Sequence, residues 1–190
     1  MTKPIILLDL NYTLVSNSPR RFPYLRRGNS FPKWVSEEER YRGWLVDLLR
    51  DYYVIMLTAR PVQYMDVTLA AIDRACEWQP NEAYFQDEKV PPPVLKSGFL
   101  DRFVIPAHGE ILHGRYLALE CNGQTRAMYA RRQVAAMEVP DDGRTWLEIP
   151  AGPKAEIKYG PTLTVDPRDV WRPGAASHAM TKSDPQGQLF

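Results

Sequence analysis

The hydrophobic and polar positions of the chain alternate between short, unbroken apolar runs and longer stretches whose apolar residues recur at helical spacing. The first run, Pro-Ile-Ile-Leu-Leu over residues 4–8, stops abruptly at Asp9. Apolar at every position and bounded by a polar cluster, it reads as a strand buried on both faces of a parallel sheet. Runs at 54–57, 84–85, 116–119 and 134–139 repeat the pattern. Between the first two, Tyr41, Leu45, Leu48, Leu49 and Tyr52 follow the capping box Ser36-Glu37-Glu38-Glu39, and together they predict a helix over 36–51. Pro61 suits the first turn of the next helix, in which Met65, Leu69, Ile72 and Cys76 share one face, so that Cys76 reads as core. Two further helices are expected over 94–103, after the break at 87–93, and over 125–132. The alternation predicts an α/β fold, a doubly wound parallel sheet with helices on both faces.

Beyond residue 140 the character changes. Residues 144–149, 155–159 and 162–165, separated by Pro/Gly-containing segments, read as short strands of a β-rich appendage. The chain thus divides into an α/β domain over 1–140, a β-rich extension over 141–172 and a polar tail over 173–190, expected to be poorly ordered.

Composition narrows the class. With 190 residues and 44% hydrophobic content the chain has enough material for one core and no room for a second large domain. A net charge of +1, from 24 basic and 23 acidic residues, argues against a protein that coats nucleic acid, although a local basic patch remains compatible with it. Cys76 and Cys121 lack CxxC spacing and are too few for a disulfide framework, which suggests a reducing, cytoplasmic setting. The first apolar run breaks at Asp9, too early for a signal-peptide core, and no later stretch approaches the ~18 apolar residues of a membrane span.

Chemistry-bearing residues gather at the predicted carboxyl ends of strands, where open α/β sheets bind ligands. Asp9 could attack phosphorus or bind a hard cation. Equally, it could begin a turn. Thr58 could hydrogen-bond a phosphate oxygen and Arg60 could add charge, with an ordinary helix cap or turn as the alternative. Lys96 could neutralise a phosphate or hold a nucleophilic carboxylate, and Glu120 ends the run at 116–119. Arg20, Arg21, Arg26 and Arg27, set around Phe22 and Tyr24, could contact phosphate and bases or form a solvated surface. His108 and His113 lack the neighbours that a metal pair needs, and read as ordinary loop residues.

Taken in order, the strand into Asp9-Leu-Asn11-Tyr-Thr13, the strand ending at Thr58, Lys96 and the strand ending in Glu120-Cys-Asn122 resemble the haloacid dehalogenase (HAD) superfamily of phosphotransferases. Residues 116–140 are similar to the corresponding part of the phosphatase domain of polynucleotide kinase-phosphatases. The resemblance implies a HAD-like Rossmannoid sheet with little or no cap domain. It also implies roles: Asp9 as the nucleophile that forms an aspartyl-phosphate, Thr58 and Lys96 as holders of the phosphoryl group, and Glu120, Asp9 and the Asn11 carbonyl oxygen as ligands of Mg2+. Its substrate would be a phosphorylated small molecule or a nucleic-acid end. In two places the chain departs from the family pattern. Asn11 stands where the phosphatases usually carry the aspartate that serves as general acid and base, and Cys121 stands where they often carry a further oxygen ligand. The expected function is a Mg2+-dependent phosphomonoesterase, and the alternative is a phosphate- or nucleotide-binding module that has lost turnover.

Overall fold

The computed structural model describes residues 3–112 and 114–141, so that His113, the strands expected over 144–165 and the tail at 173–190 lie outside the described residues. Among the described residues five strands are formed: β1 (Ile5–Leu8), β2 (Val54–Pro61), β3 (Glu82–Gln86), β4 (Tyr116–Leu119) and β5 (Ala135–Met137). They make one sheet in the order β3-β2-β1-β4-β5, and every pairing is parallel. In chain order the α-helices are α1 (Arg21–Leu25), α2 (Phe31–Lys33), α3 (Gly43–Leu49), α4 (Met65–Cys76), α5 (Pro92–Phe99), α6 (Ile105–His108) and α7 (Gly123–Arg131).

Period-two alternation sends the side chains of β1 into two cores. Ile6 and Leu8 pack with Leu45 and Leu49 of α3 and Leu69 and Ile72 of α4. Leu7 faces the other way, toward Leu95 and Phe99 of α5 and Met128 and Tyr129 of α7. Each such side chain, fully withdrawn from water, contributes about 1.5–3 kcal/mol, and this double burial explains why β1 is apolar at every position. The architecture is therefore the expected α/β kind, a Rossmann-like parallel sheet between two helical layers. Among the described residues no helix is long and apolar enough to cross a membrane.

Four local expectations need correction. The helix expected from residue 36 starts at Gly43, and Trp34–Glu38 instead forms a π-helical turn. Glu39 does not close the capping box because its buried carboxylate accepts hydrogen bonds from Trp34 Nε1, Tyr41 Oη and the Arg60 guanidinium. The arginine-rich stretch is no plain loop either, since Ser18–Arg20 is a 3-10 turn that leads into α1. Thr58 and Pro61 both lie inside β2, which runs past Leu57 through a register shift, and a 3-10 turn over Val62–Tyr64 precedes α4. Finally, the helix expected over 94–103 runs on from α5 through a π turn at Leu100–Val104 into α6.

Candidate active site

The chain leaves β1 for β2 on one side, whereas β4, on the other side of β1, leads away to β5. The loops after β1 and β4 therefore diverge, and the crevice that opens at such a switch point is where open α/β sheets bind ligands. Asp9 and Glu120 are the first residues of those two loops. Main-chain bonds pin both: Asp9 N donates to Leu119 O at 2.9 Å, and Glu120 N donates to Met137 O at 2.9 Å.

Lys96 reaches the two carboxylates from α5. Its Nζ lies 2.6 Å from Asp9 Oδ1 and 2.6 Å from Glu120 Oε2. All three groups are buried, Lys96 and Glu120 at 1% exposure and Asp9 at 8%. The Lys96 ammonium thus stands between the two carboxylates. Burial alone would lower the Lys96 pKa, but Asp9 and Glu120 outweigh it and hold the group above the ordinary lysine value. The Glu120 pKa is raised too, but here the shift disfavours the charge: burial and repulsion from Asp9 outweigh the pull of Lys96.

The loop after β1 completes the cluster. Thr13 Oγ1 donates to Asp9 Oδ2 at 2.8 Å and accepts from Cys121 N at 3.0 Å, which ties the two diverging loops together. Arg42, itself buried, donates to the main-chain oxygens of Tyr12 and Thr13 at 3.0 and 2.7 Å. This holds a turn in which Tyr12 has a φ of +65°. Asn122 N donates to Glu120 Oε1 at 2.9 Å, while the Asn122 side chain caps α7 by accepting from Gln124 N and Thr125 N. Tyr129 of α7 is buried close enough to feel the charges of Lys96, Glu120 and Asp9, and burial is the main cause that raises its pKa.

The Cys121 thiol stands among these oxygens, 3.2 Å from Asn11 O, 3.5 Å from Asp9 Oδ2 and 3.9 Å from Glu120 Oε1. Burial, and then the charge of Asp9, push its pKa up to about 12, so it serves as a neutral S–H. Asp9, Glu120 and Cys121 each place a ligand atom within 4.8 Å of the others. Asp9 and Glu120 offer oxygen atoms of the kind a hard divalent cation takes, while the Cys121 sulfur is the one atom of the set that suits a softer ion.

The remaining candidates separate clearly. Thr58 is fully buried and its hydroxyl accepts from Arg60 N at 3.1 Å; among the described residues no hydrogen bond joins it to Asp9, Lys96 or Glu120. Arg60 is not a substrate-facing cation. It is 1% exposed, with Nη1 donating to Glu39 Oε2 at 3.1 Å and Thr68 Oγ1 at 2.8 Å, and Nη2 donating to Glu39 Oε1 at 2.5 Å and Asn11 Oδ1 at 3.0 Å. Of the four loop arginines, Arg20, Arg26 and Arg27 are exposed. Arg21 alone turns inward, its guanidinium over Phe22 at 4.7 Å and Phe31 at 5.8 Å, where it senses Tyr12, Arg60 and Glu39. His108 meets Glu82 Oε1 at 2.9 Å, at the amino end of β3. Thr13 and Arg42 received no role from sequence, and Glu39 only that of a helix cap. The Asp-x-Asn-x-Thr spacing of the loop was the signal available for Thr13; nothing local pointed to Arg42 or to the pairing of Glu39 with Arg60.

No family model matches the chain, and no curated protein matches it.

Proposed function

We propose that the chain is a phosphohydrolase of the HAD type, in which Asp9 attacks phosphorus and carries the phosphoryl group as an aspartyl-phosphate. The observation that carries this reading is the buried Asp9–Lys96–Glu120 cluster at the sheet's switch point. Lys96 and Thr13 hold the two Asp9 oxygens at 2.6 and 2.8 Å, which would orient the carboxylate for in-line attack. Mg2+ is the cofactor of this reading, with Asp9, the Asn11 main-chain oxygen and Glu120 as its holders. When bound it would neutralise charge on the transferred phosphoryl group. Thr58, at the irregularity of β2, is the remaining candidate for a phosphoryl contact. Residues 17–39 leave and re-enter beside the site, where Ser16 N donates to Arg40 O and Arg42 N donates to Leu14 O. They would serve as its small cover.

One observation favours a second reading, a binding module without turnover: the position beside Asp9 that needs a proton donor holds a carboxamide. Purified chain with Mg2+ and p-nitrophenyl phosphate separates the two. Turnover that disappears in Asp9→Asn, with the fold retained, supports the hydrolase; no turnover at any Mg2+ concentration supports the binder.

A further inference from the structure

Asn11 is the residue whose chemistry the hydrolase reading leaves open, and its surroundings decide what it can do. Arg60 Nη2 donates to its Oδ1 at 3.0 Å. A guanidinium has donors only, so the carboxamide oxygen must be the end that faces Arg60, and the NH2 is the end left over. Arg60 cannot swing away to change this. Glu39 accepts from both of its terminal nitrogens, Thr68 accepts from Nη1, and Phe31 covers its face with the Cζ 5.3 Å from the ring centroid. Among the described residues no hydrogen bond reaches Asn11 Nδ2. The amide is thus held as a neutral donor that can hydrogen-bond a leaving oxygen and can never give it a proton.

The neighbouring groups do not replace the missing acid. Glu39 is spent on Arg60, and Lys96 is spent on Asp9 and Glu120. A positioned acid contributes roughly 10²- to 10⁴-fold to the departure of a basic leaving group, and this site forgoes that help. A phosphate oxyanion needs none, because its conjugate acid has a pKa of about 6. Arg21 adds a half-buried guanidinium near Tyr12, and among the described residues it has no carboxylate partner within ion-pair distance. Such a cation suits a leaving group that departs with charge.

Building on the hydrolase reading, we propose that the substrate is a phosphoanhydride and that Asn11, positioned by Arg60, selects it over alkyl phosphomonoesters. An Asp9 oxygen forms a bond to the terminal phosphorus, the bridging P–O bond breaks, and its electron pair leaves on the departing phosphate, with Asn11 Nδ2–H donating a hydrogen bond and no proton transferred. Water then attacks the aspartyl-phosphate, Asp9 regains its carboxylate, and both protons of the water leave on phosphate as H2PO4−. With no base to take a proton from that water, the second step is the slow one, and phosphoenzyme accumulates.

The test uses the full chain with Mg2+ and three substrates: ADP, p-nitrophenyl phosphate and glycerol 3-phosphate. Expected are Asp9-dependent turnover of ADP and the aryl ester, kcat/KM for ADP at least 10²-fold above that for glycerol 3-phosphate, and a burst of AMP before steady state. In Arg60→Lys, which keeps a charge for Glu39 but cannot span both partners, the ADP-to-aryl ratio should fall at least fivefold. A purely structural role would lower both rates in proportion and leave the ratio unchanged. Glycerol 3-phosphate turned over as fast as ADP would overturn the substrate class while leaving the hydrolase intact, and loss of that turnover in Tyr12→Phe would identify the Tyr12 phenol as the acid. No Asp9-dependent turnover of any substrate would overturn both.

Discussion

Two buried carboxylate clusters occupy opposite ends of the sheet, and one helical run serves both. The run from α5 to α6 carries Lys96 near its start and His108 at its end, roughly 18 Å apart at ~1.5 Å of rise per residue. At the amino end, Glu82 opens β3 with no exposure to solvent. Its Oε1 accepts from Tyr53 Oη at 2.7 Å and meets His108 Nε2 at 2.9 Å, and its Oε2 accepts from Tyr84 Oη at 2.8 Å. Burial pushes this carboxyl pKa up, but the bonds from His108, Tyr53 and Tyr84 outweigh it and hold the group below its ordinary value. At the carboxyl end the balance is reversed: two carboxylates share one ammonium, and Glu120 is held above its ordinary value. Glu82 is a buried charge whose partners satisfy it and whose environment is closed. Asp9 and Glu120, at the carboxyl ends of β1 and β4, share a single ammonium.

The largest expected effect on this contrast comes from Lys96→Met. It strands two carboxylates in the core, and leaving a buried charge unpaired costs about 3–5 kcal/mol, read as a lowered urea midpoint. Part of the loss should return when Mg2+ is added, because a cation can take over the ammonium's electrostatic role. A midpoint unchanged from the parent would show that the three groups are not coupled as their distances imply.

Smaller effects should distinguish the two ends directly. Glu82→Gln puts a donor where three donors converge and is expected to cost about 1–3 kcal/mol. Glu120→Gln removes repulsion with Asp9 and leaves Lys96 a partner, so stability should change by less than about 1 kcal/mol, or rise. Equal losses would erase the contrast. The pH dependence has opposite signs. The folded pKa of Glu82 lies below its unfolded one, so its contribution is full above the ordinary glutamate value of about 4.3 and is lost as pH falls through the folded value. The folded pKa of Glu120 lies above, so its ionisation costs stability at neutral pH and the cost is relieved as pH falls. Urea unfolding between pH 7 and 3 should therefore show the Glu82→Gln deficit shrinking in acid and any Glu120→Gln gain vanishing there.

How far each region was legible in sequence follows the same physics. The strands announced themselves because β1, β4 and the first half of β2 are buried on both faces and apolar throughout, and Asp9 and Glu120 stood out as the places where such runs break. Lys96 was legible as a candidate but not as a fully buried one, since nothing local marks a lysine that two distant carboxylates neutralise. The helix at residue 36 misled because a capping box is a local signal, and Glu39 is claimed by Arg60, 21 residues away, which no local pattern encodes. For the same reason Arg60 looked like a substrate contact. Glu82 was silent: an acidic residue at a strand's first position looks like turn chemistry, and two of its three partners, Tyr53 and His108, lie more than 25 residues away. Of the arginine-rich stretch, only Arg21 turns inward, and it does so by stacking on Phe31, a contact that composition alone does not reveal.

The most direct test asks whether Asp9 accepts the phosphoryl group. Full chain mixed with ADP and Mg2+, quenched in acid within the first turnover and analysed by intact and peptide mass, should show one phosphoryl group on the peptide that carries Asp9. The adduct should be removed by hydroxylamine and be missing from Asp9→Asn. Turnover without an adduct at any quench time, or an adduct on another residue that persists in Asp9→Asn, would contradict Asp9 as the nucleophile.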